Sequence, residues 1–170
     1  MNIPIILGTA HEGRQSEKVA NYMLGQVQVA EGVETEIIDV RDYRLQATKE
    51  ESENAKKYTQ KIAKCDGLIV VIPEYNHGYP GEFKMILDTP YQEYFRKPVG
   101  FCGVSASPMG GVRVVEQLRQ VFAELHMVDV REAVYFSNVH KLFDEQGNIT
   151  DESYESRVQA FLEEFLWYAK

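Results

Sequence analysis

Three short apolar runs stand out along the chain: Ile3-Pro4-Ile5-Ile6-Leu7, Gly67-Leu68-Ile69-Val70-Val71-Ile72 and Val99-Gly100-Phe101-Cys102-Gly103-Val104. They are largely β-branched and do not alternate with polar residues, which is how a parallel strand covered on both faces reads. Glu34–Asp39 and Ala133–Phe136 are two weaker strand candidates. Between these runs, apolar residues return every three or four positions. Val19, Ala20, Met23, Leu24 and Val27 follow Ser16, and Ala55, Tyr58, Ile62 and Cys65 form a second stripe. Phe83, Ile86 and Leu87 follow Pro80; Val115, Leu118, Phe122 and Leu125 form a fourth stripe; Tyr154, Val158, Phe161, Leu162 and Phe165 form a fifth. Each stripe predicts one amphipathic helix. Five strand–helix alternations predict an α/β fold, a five-stranded parallel sheet with helices on both faces. The simplest winding is the order 2-1-3-4-5, with a ligand crevice at the carboxyl ends of strands 1, 3 and 4. Arg41–Ser52 reads as a polar surface loop and Asp144–Asn148 as a turn, and no linker or repeat divides residues 1–170, so one domain is expected.

Composition narrows the function classes. At 170 residues, 44% hydrophobic and 26% charged, the chain can bury a core without disulfides or metal. Its 18 basic and 26 acidic residues leave a net charge of −8, a field that disfavours nucleic acid and anionic membrane surfaces as partners. No run approaches the roughly 20 apolar residues of a membrane span. Met1-Asn2-Ile3-Pro4 carries no basic leader of a signal peptide. Cys65 and Cys102 lack CxxC spacing and sit beside apolar runs, as buried free thiols of a reducing compartment do. A cytoplasmic location is the expectation.

The loops after strands 1, 3 and 4 carry the candidate chemistry. The first, Gly8-Thr9-Ala10-His11-Glu12-Gly13-Arg14-Gln15-Ser16, runs straight into a helix. Glycines that expose amides, the hydroxyls of Thr9 and Ser16, the fork of Arg14 and a helix start together suit an anion. The alternative is a tight turn with Ser16 as an ordinary cap. The second, Pro73-Glu74-Tyr75-Asn76-His77-Gly78-Tyr79-Pro80-Gly81, is stiff and aromatic, and suits a flat heteroaromatic ring packed beside Tyr75. His77 reads as a rim residue rather than a metal ligand, since no second histidine stands at ligand spacing. The third, Ser105-Ala106-Ser107-Pro108-Met109-Gly110-Gly111, can bring backbone amides to an electron-rich ring edge, or its glycines can serve packing alone.

These three loops, at these three places, resemble the NADPH-dependent FMN reductase family of flavodoxin-like proteins. Gly8-Thr9 stands for the family's Gly-Ser, His11 occupies its usual arginine place, and Arg14 precedes Ser16 by two residues. Pro73-Glu74-Tyr75-Asn76 matches its second motif, followed by Pro80-Gly81-Glu82-Phe83-Lys84 and Asp88, with Met85 where asparagine is usual. Ser105–Gly111 matches the third, and the likeness runs from Ile3 to Asn138. The resemblance implies a flavodoxin-like fold and non-covalent FMN. The phosphate would lie on Thr9, Arg14, Gln15 and Ser16, with Arg14 as the phosphate arginine and His11 as the other possibility. The ring would lie in the Pro73-Glu74-Tyr75-Asn76-His77-Gly78 segment, its far edge near Ser105, Ala106 and Gly110. NAD(P)H would reduce the flavin, and a small-molecule acceptor would reoxidise it in a ping-pong cycle whose reductive half needs no general acid or base, so that no catalytic side chain is named. The alternatives are a quinone or azo reductase on the same site, or an FMN-binding electron carrier that is not an enzyme. A homodimer or homotetramer is implied too, with Tyr91, Tyr94 and Phe95 as a candidate contact surface.

Overall fold

A computed structural model describes residues 1–170. Five parallel strands lie in the order β2-β1-β3-β4-β5. They are β1 (Ile5–Leu7), β2 (Ile37–Asp39), β3 (Leu68–Pro73), β4 (Pro98–Val104) and β5 (Val128–Phe136). The helices are α1 (Ser16–Gln28), α2 (Glu53–Lys64), α3 (Gly81–Leu87), α4 (Val112–Glu124), the single turn α5 (Val139–Leu142) and α6 (Ser153–Ala169).

The apolar runs become strands because each successive side chain enters a different core. Ile69 and Val71 of β3, with Cys102 and Val104 of β4, pack beneath α1 and α6 through Val19, Met23, Val158 and Phe161. Leu68, Val70 and Ile72, with Val99 and Phe101, pack beneath α2, α3 and α4 through Tyr58, Ile62, Phe83, Leu118 and Phe122. Gly100 lets α6 approach β4: a Cβ there would lie 2.5 Å from Phe161 Cζ. Tyr58 and Tyr94, both fully buried, satisfy one another's hydroxyls at 3.2 Å.

Several boundaries differ from the expectation. Ile3 lies in the core and its amide bonds Glu34 O, but Pro4 has no N–H, so the regular strand begins only at Ile5. Strand 2 likewise contracts to Ile37–Asp39. The fifth strand is longer than expected, starting at Val128; at the sheet edge one side faces solvent, so Asp129, Arg131 and Glu132 interrupt the apolar pattern that would announce it. The polar loop after β2 contains a 3-10 turn over Val40–Tyr43. Asp144 closes its turn by accepting from the amides of Gln146 and Asn148. Both cysteines are free and buried.

The register places the candidate loops side by side. Leu7 pairs with Val71 and Pro73 with Val104, so the segments after β1, β3 and β4 leave the sheet at one end. The connections from β1 to β2 and from β3 to β4 run in opposite directions across the sheet, and the crevice between β1 and β3 is where such folds take ligands.

Candidate functional site

The first loop turns its carbonyls to one side and at least one amide to the other. Arg14 is buried, its side chain 2% exposed, and its guanidinium grips both carboxylate oxygens of Asp39 while donating to Thr9 O. Asp39 ends β2 and also accepts from the amide of Arg41 at 2.9 Å, which starts the 3-10 turn. That turn carries the Arg41 guanidinium onto the next two carbonyls, Ala10 O and His11 O. Burial pushes the Asp39 carboxyl up, but the bonds from Arg14 and the Arg41 amide outweigh it and hold the group below the usual carboxylate range. On the opposite side the Ala10 amide donates to Glu82 Oε1 at 2.8 Å, an anion held by the loop within the protein itself.

The expected phosphate contacts are therefore distributed unevenly. Thr9 is fully buried, its hydroxyl donating to Glu82 at 3.2 Å and lying 3.1 Å from Tyr75 Oη. Arg14, expected to present its fork to a phosphate, has that fork committed to Asp39 and Thr9 O; a buried cation is held where its partners are. His11 is exposed, Gln15 half-buried, and Ser16 opens α1. Ser16 is 2% exposed and its Oγ has no hydrogen-bond partner, a polar atom buried at a helix start with one place unfilled. It does not act as a side-chain cap for α1.

The second loop is a closed hairpin tip. Tyr75 and Gly78 exchange two backbone hydrogen bonds of 2.9 Å, and the two residues between them, Asn76 and His77, both have positive φ, 49° and 67°. Gln117 of α4 donates to His77 O at 2.7 Å and pins the tip. Glu74, its side chain 5% exposed, receives Arg113 of α4 through both the guanidinium and the backbone amide. Tyr75 remains 40% exposed, its ring edge-on to His11 at 6.4 Å. It joins the first two loops and leaves aromatic surface in the crevice.

The third loop lies close on the sheet. Ser105 Oγ accepts from the Ser107 amide at 3.0 Å, and Ala106 is exposed. Gly110 and Gly111 have φ of 60° and 83°. A Cβ on Gly110 would meet Tyr135 Cβ at 2.8 Å, and one on Gly111 would meet Val104 N at 2.8 Å. Gly110 is buried against β5, so packing of the loop accounts for the glycine pair.

Asp39, Arg41, Glu82, Arg113 and Gln117 bond the first and second candidate loops, and none was singled out from the sequence as a site residue. Asp39 had one available signal, a charged residue closing an apolar strand at the ligand end of the sheet. The others meet the loops only through long-range packing.

The pattern of the NADPH-dependent FMN reductases matches residues 1–141, covering all three loops. The chain belongs to this family. A 2-hydroxy-1,4-benzoquinone reductase of a Burkholderia species is 31% identical, the match covering 66% of this chain and 65% of that protein. An FMN-dependent NADPH-azoreductase of Staphylococcus haemolyticus is 26% identical over 95% of this chain and 92% of its own. Among solved structures, a flavoenzyme NAD(P)H:(acceptor) oxidoreductase from Paracoccus denitrificans superimposes with a TM-score of 0.83 at 22% identity, covering 99% of this chain and 96% of that one. It shares the fold. As an FMN reductase family member the chain is an oxidoreductase with FMN as its cofactor and NAD(P)H as its reductant.

The residues present fit FMN. The unpartnered Ser16 Oγ at the start of α1 and the loop's demonstrated hold on a carboxylate are suited to a phosphate. The exposed Tyr75 suits a planar ring.

Proposed function

We propose that this protein binds FMN non-covalently across its three crevice loops and passes reducing equivalents from NAD(P)H to a planar small-molecule acceptor, a quinone or an azo compound. The observation that carries the reading is the buried, unpartnered hydroxyl of Ser16 at the start of α1, where the first loop ends, together with the exposed ring of Tyr75, whose hydroxyl lies 3.1 Å from Thr9 Oγ1 of that loop. Ser16, Gln15 and the exposed His11 are the groups that receive the phosphate, and Thr9 and Arg14 shape the loop from behind. The hairpin Tyr75–Gly78, pinned by Gln117 and Arg113, positions the ring, and Ser105 and Ala106 stand at its far edge, the Ser105 amide itself being bonded to Phe136 O at 3.1 Å.

When bound, FMN supplies hydride acceptance from the nicotinamide and electron delivery to the acceptor. The chain's own residues orient and tune; none is needed as a general acid or base for the reductive half. One open ring face serving both substrates in turn implies ping-pong kinetics. The names of the Burkholderia and Staphylococcus relatives support quinone and azo acceptors. Self-association over the surface next to α3 belongs to the same reading. Tyr94 is buried in the core, so Tyr91 and the half-buried Phe95 are what that surface offers. A single domain over residues 1–170 and a cytoplasmic setting belong to the same reading. No helix is long and apolar enough to cross a membrane.

The test is anaerobic. Purified protein given one equivalent of FMN turns yellow and retains the flavin through gel filtration. NADPH bleaches it, and a benzoquinone restores the colour in a second phase whose rate is independent of NADPH. Protein that stays colourless with added FMN overturns the flavin assignment. Bleached protein that no quinone or azo dye reoxidises overturns the acceptor class and leaves the electron carrier reading.

A further inference from the structure

Three consecutive carbonyls of the first loop are held from behind by two guanidinium groups. Arg14 takes Thr9 O, and Arg41 takes Ala10 O and His11 O. Both arginines lead to one carboxylate. Asp39 receives Nη1 and Nη2 of Arg14, and its Oδ1 also receives the backbone amide of Arg41 at 2.9 Å. A peptide plane whose carbonyl is fixed on one side points its N–H to the other. Clamping successive carbonyls on the β2 side therefore turns the following amides away from β2: that of Ala10 donates to the Glu82 carboxylate at 2.8 Å, and that of His11 to Thr9 Oγ1 at 3.3 Å, so the loop is locked in one form from both sides.

We infer that Asp39 is the positioning residue of the phosphate site: through Arg14 and Arg41 it sets the peptide planes of residues 9–11, and so governs affinity for the FMN phosphate without touching it. This rests on the flavin reading above. The arrangement holds the loop in its receptive form before the cofactor arrives, so binding need not order it. It also explains why Arg14, the residue of the loop best suited to grip a phosphate, is buried away from the crevice. Asp39 and Arg14 hold one another in place, as the depressed carboxyl of the first and the raised guanidinium of the second both indicate.

The readout is the ratio of FMN to riboflavin affinity, because the two ligands differ only in the phosphate. Flavin fluorescence quenching is titrated on wild type, Asp39→Asn, Arg41→Gln and Arg41→Lys. Asp39→Asn is expected to lower the ratio by about tenfold, the loss of one charge-assisted contact's worth of orientation, with riboflavin affinity unchanged. Arg41→Gln lowers it by a smaller factor and Arg41→Lys recovers part of that loss. Arg41 is half-buried and outside the core, so it carries the test if Asp39→Asn fails to fold. A ratio unchanged in every folded variant, or FMN and riboflavin affinities falling together, overturns the inference. Wild type that binds neither flavin overturns the flavin reading itself.

Discussion

At the scale of single residues, His77 carries a cost that its fold does not require. A non-glycine residue at φ 67° is strained by roughly 1–2 kcal/mol against an ordinary conformation. The Tyr75–Gly78 turn would form as readily with glycine in that place. His77→Gly is expected to raise stability by about 1 kcal/mol in urea unfolding while weakening FMN binding, as a side chain retained for the ring edge would require. An unchanged unfolding midpoint would show that the strain is absorbed elsewhere. The same scale holds what the sequence could not show about Arg14. Its identity and place in the loop were evident, and its suitability for a phosphate followed from chemistry. Its direction was decided by Asp39, 25 residues away in the chain.

At the scale of elements, the strands were legible wherever both faces are covered. β3 and β4 bury every side chain, so their sequences are unbroken apolar runs. β5 lies at the edge and alternates, so only its last residues were readable. Helix packing adds a constraint that periodicity does not carry. α6 closes on β4 over Gly100, with Phe161 ring atoms 2.5–2.6 Å from where a Cβ would stand. Gly100→Ala should destabilise the protein by about 1–3 kcal/mol, because two packed elements must separate to admit a methyl group. Thermal unfolding checks this, and a melting temperature equal to wild type would mean that the Phe161 ring gives way. Gly110 makes the companion case. Its presence beside a crevice suggested close approach to a ligand, and the tertiary structure adds a packing reason, since Tyr135 and Ser137 leave no room for a Cβ.

At the scale of the whole molecule, stability is tied to pH through the paired hydroxyls of Tyr58 and Tyr94. Burial pushes both phenols well above their ordinary value. The unfolded chain releases these protons near pH 10 while the folded one keeps them, so the unfolded state binds fewer protons above that point. Stability contributed by the pair is complete below about pH 10 and is lost as pH rises beyond it. Alkaline unfolding followed by far-ultraviolet dichroism should coincide with ionisation of these two tyrosines. Ionisation of all ten tyrosines before any unfolding would contradict their burial. The amino-acid sequence alone determined the α/β class, the strand order, the three crevice loops and the family, because covered strands, helix periods and loop motifs are local patterns. Only the tertiary structure decided which side chains of these loops turn into the protein and which stay free. Thr9 and Arg14 turn inward, Ser16 keeps an unfilled hydroxyl, and Asp39, Arg41 and Glu82 enter the site from other elements. Hydrogen bonds of this kind join residues distant in the chain, and no local pattern records which partner a charged group will find.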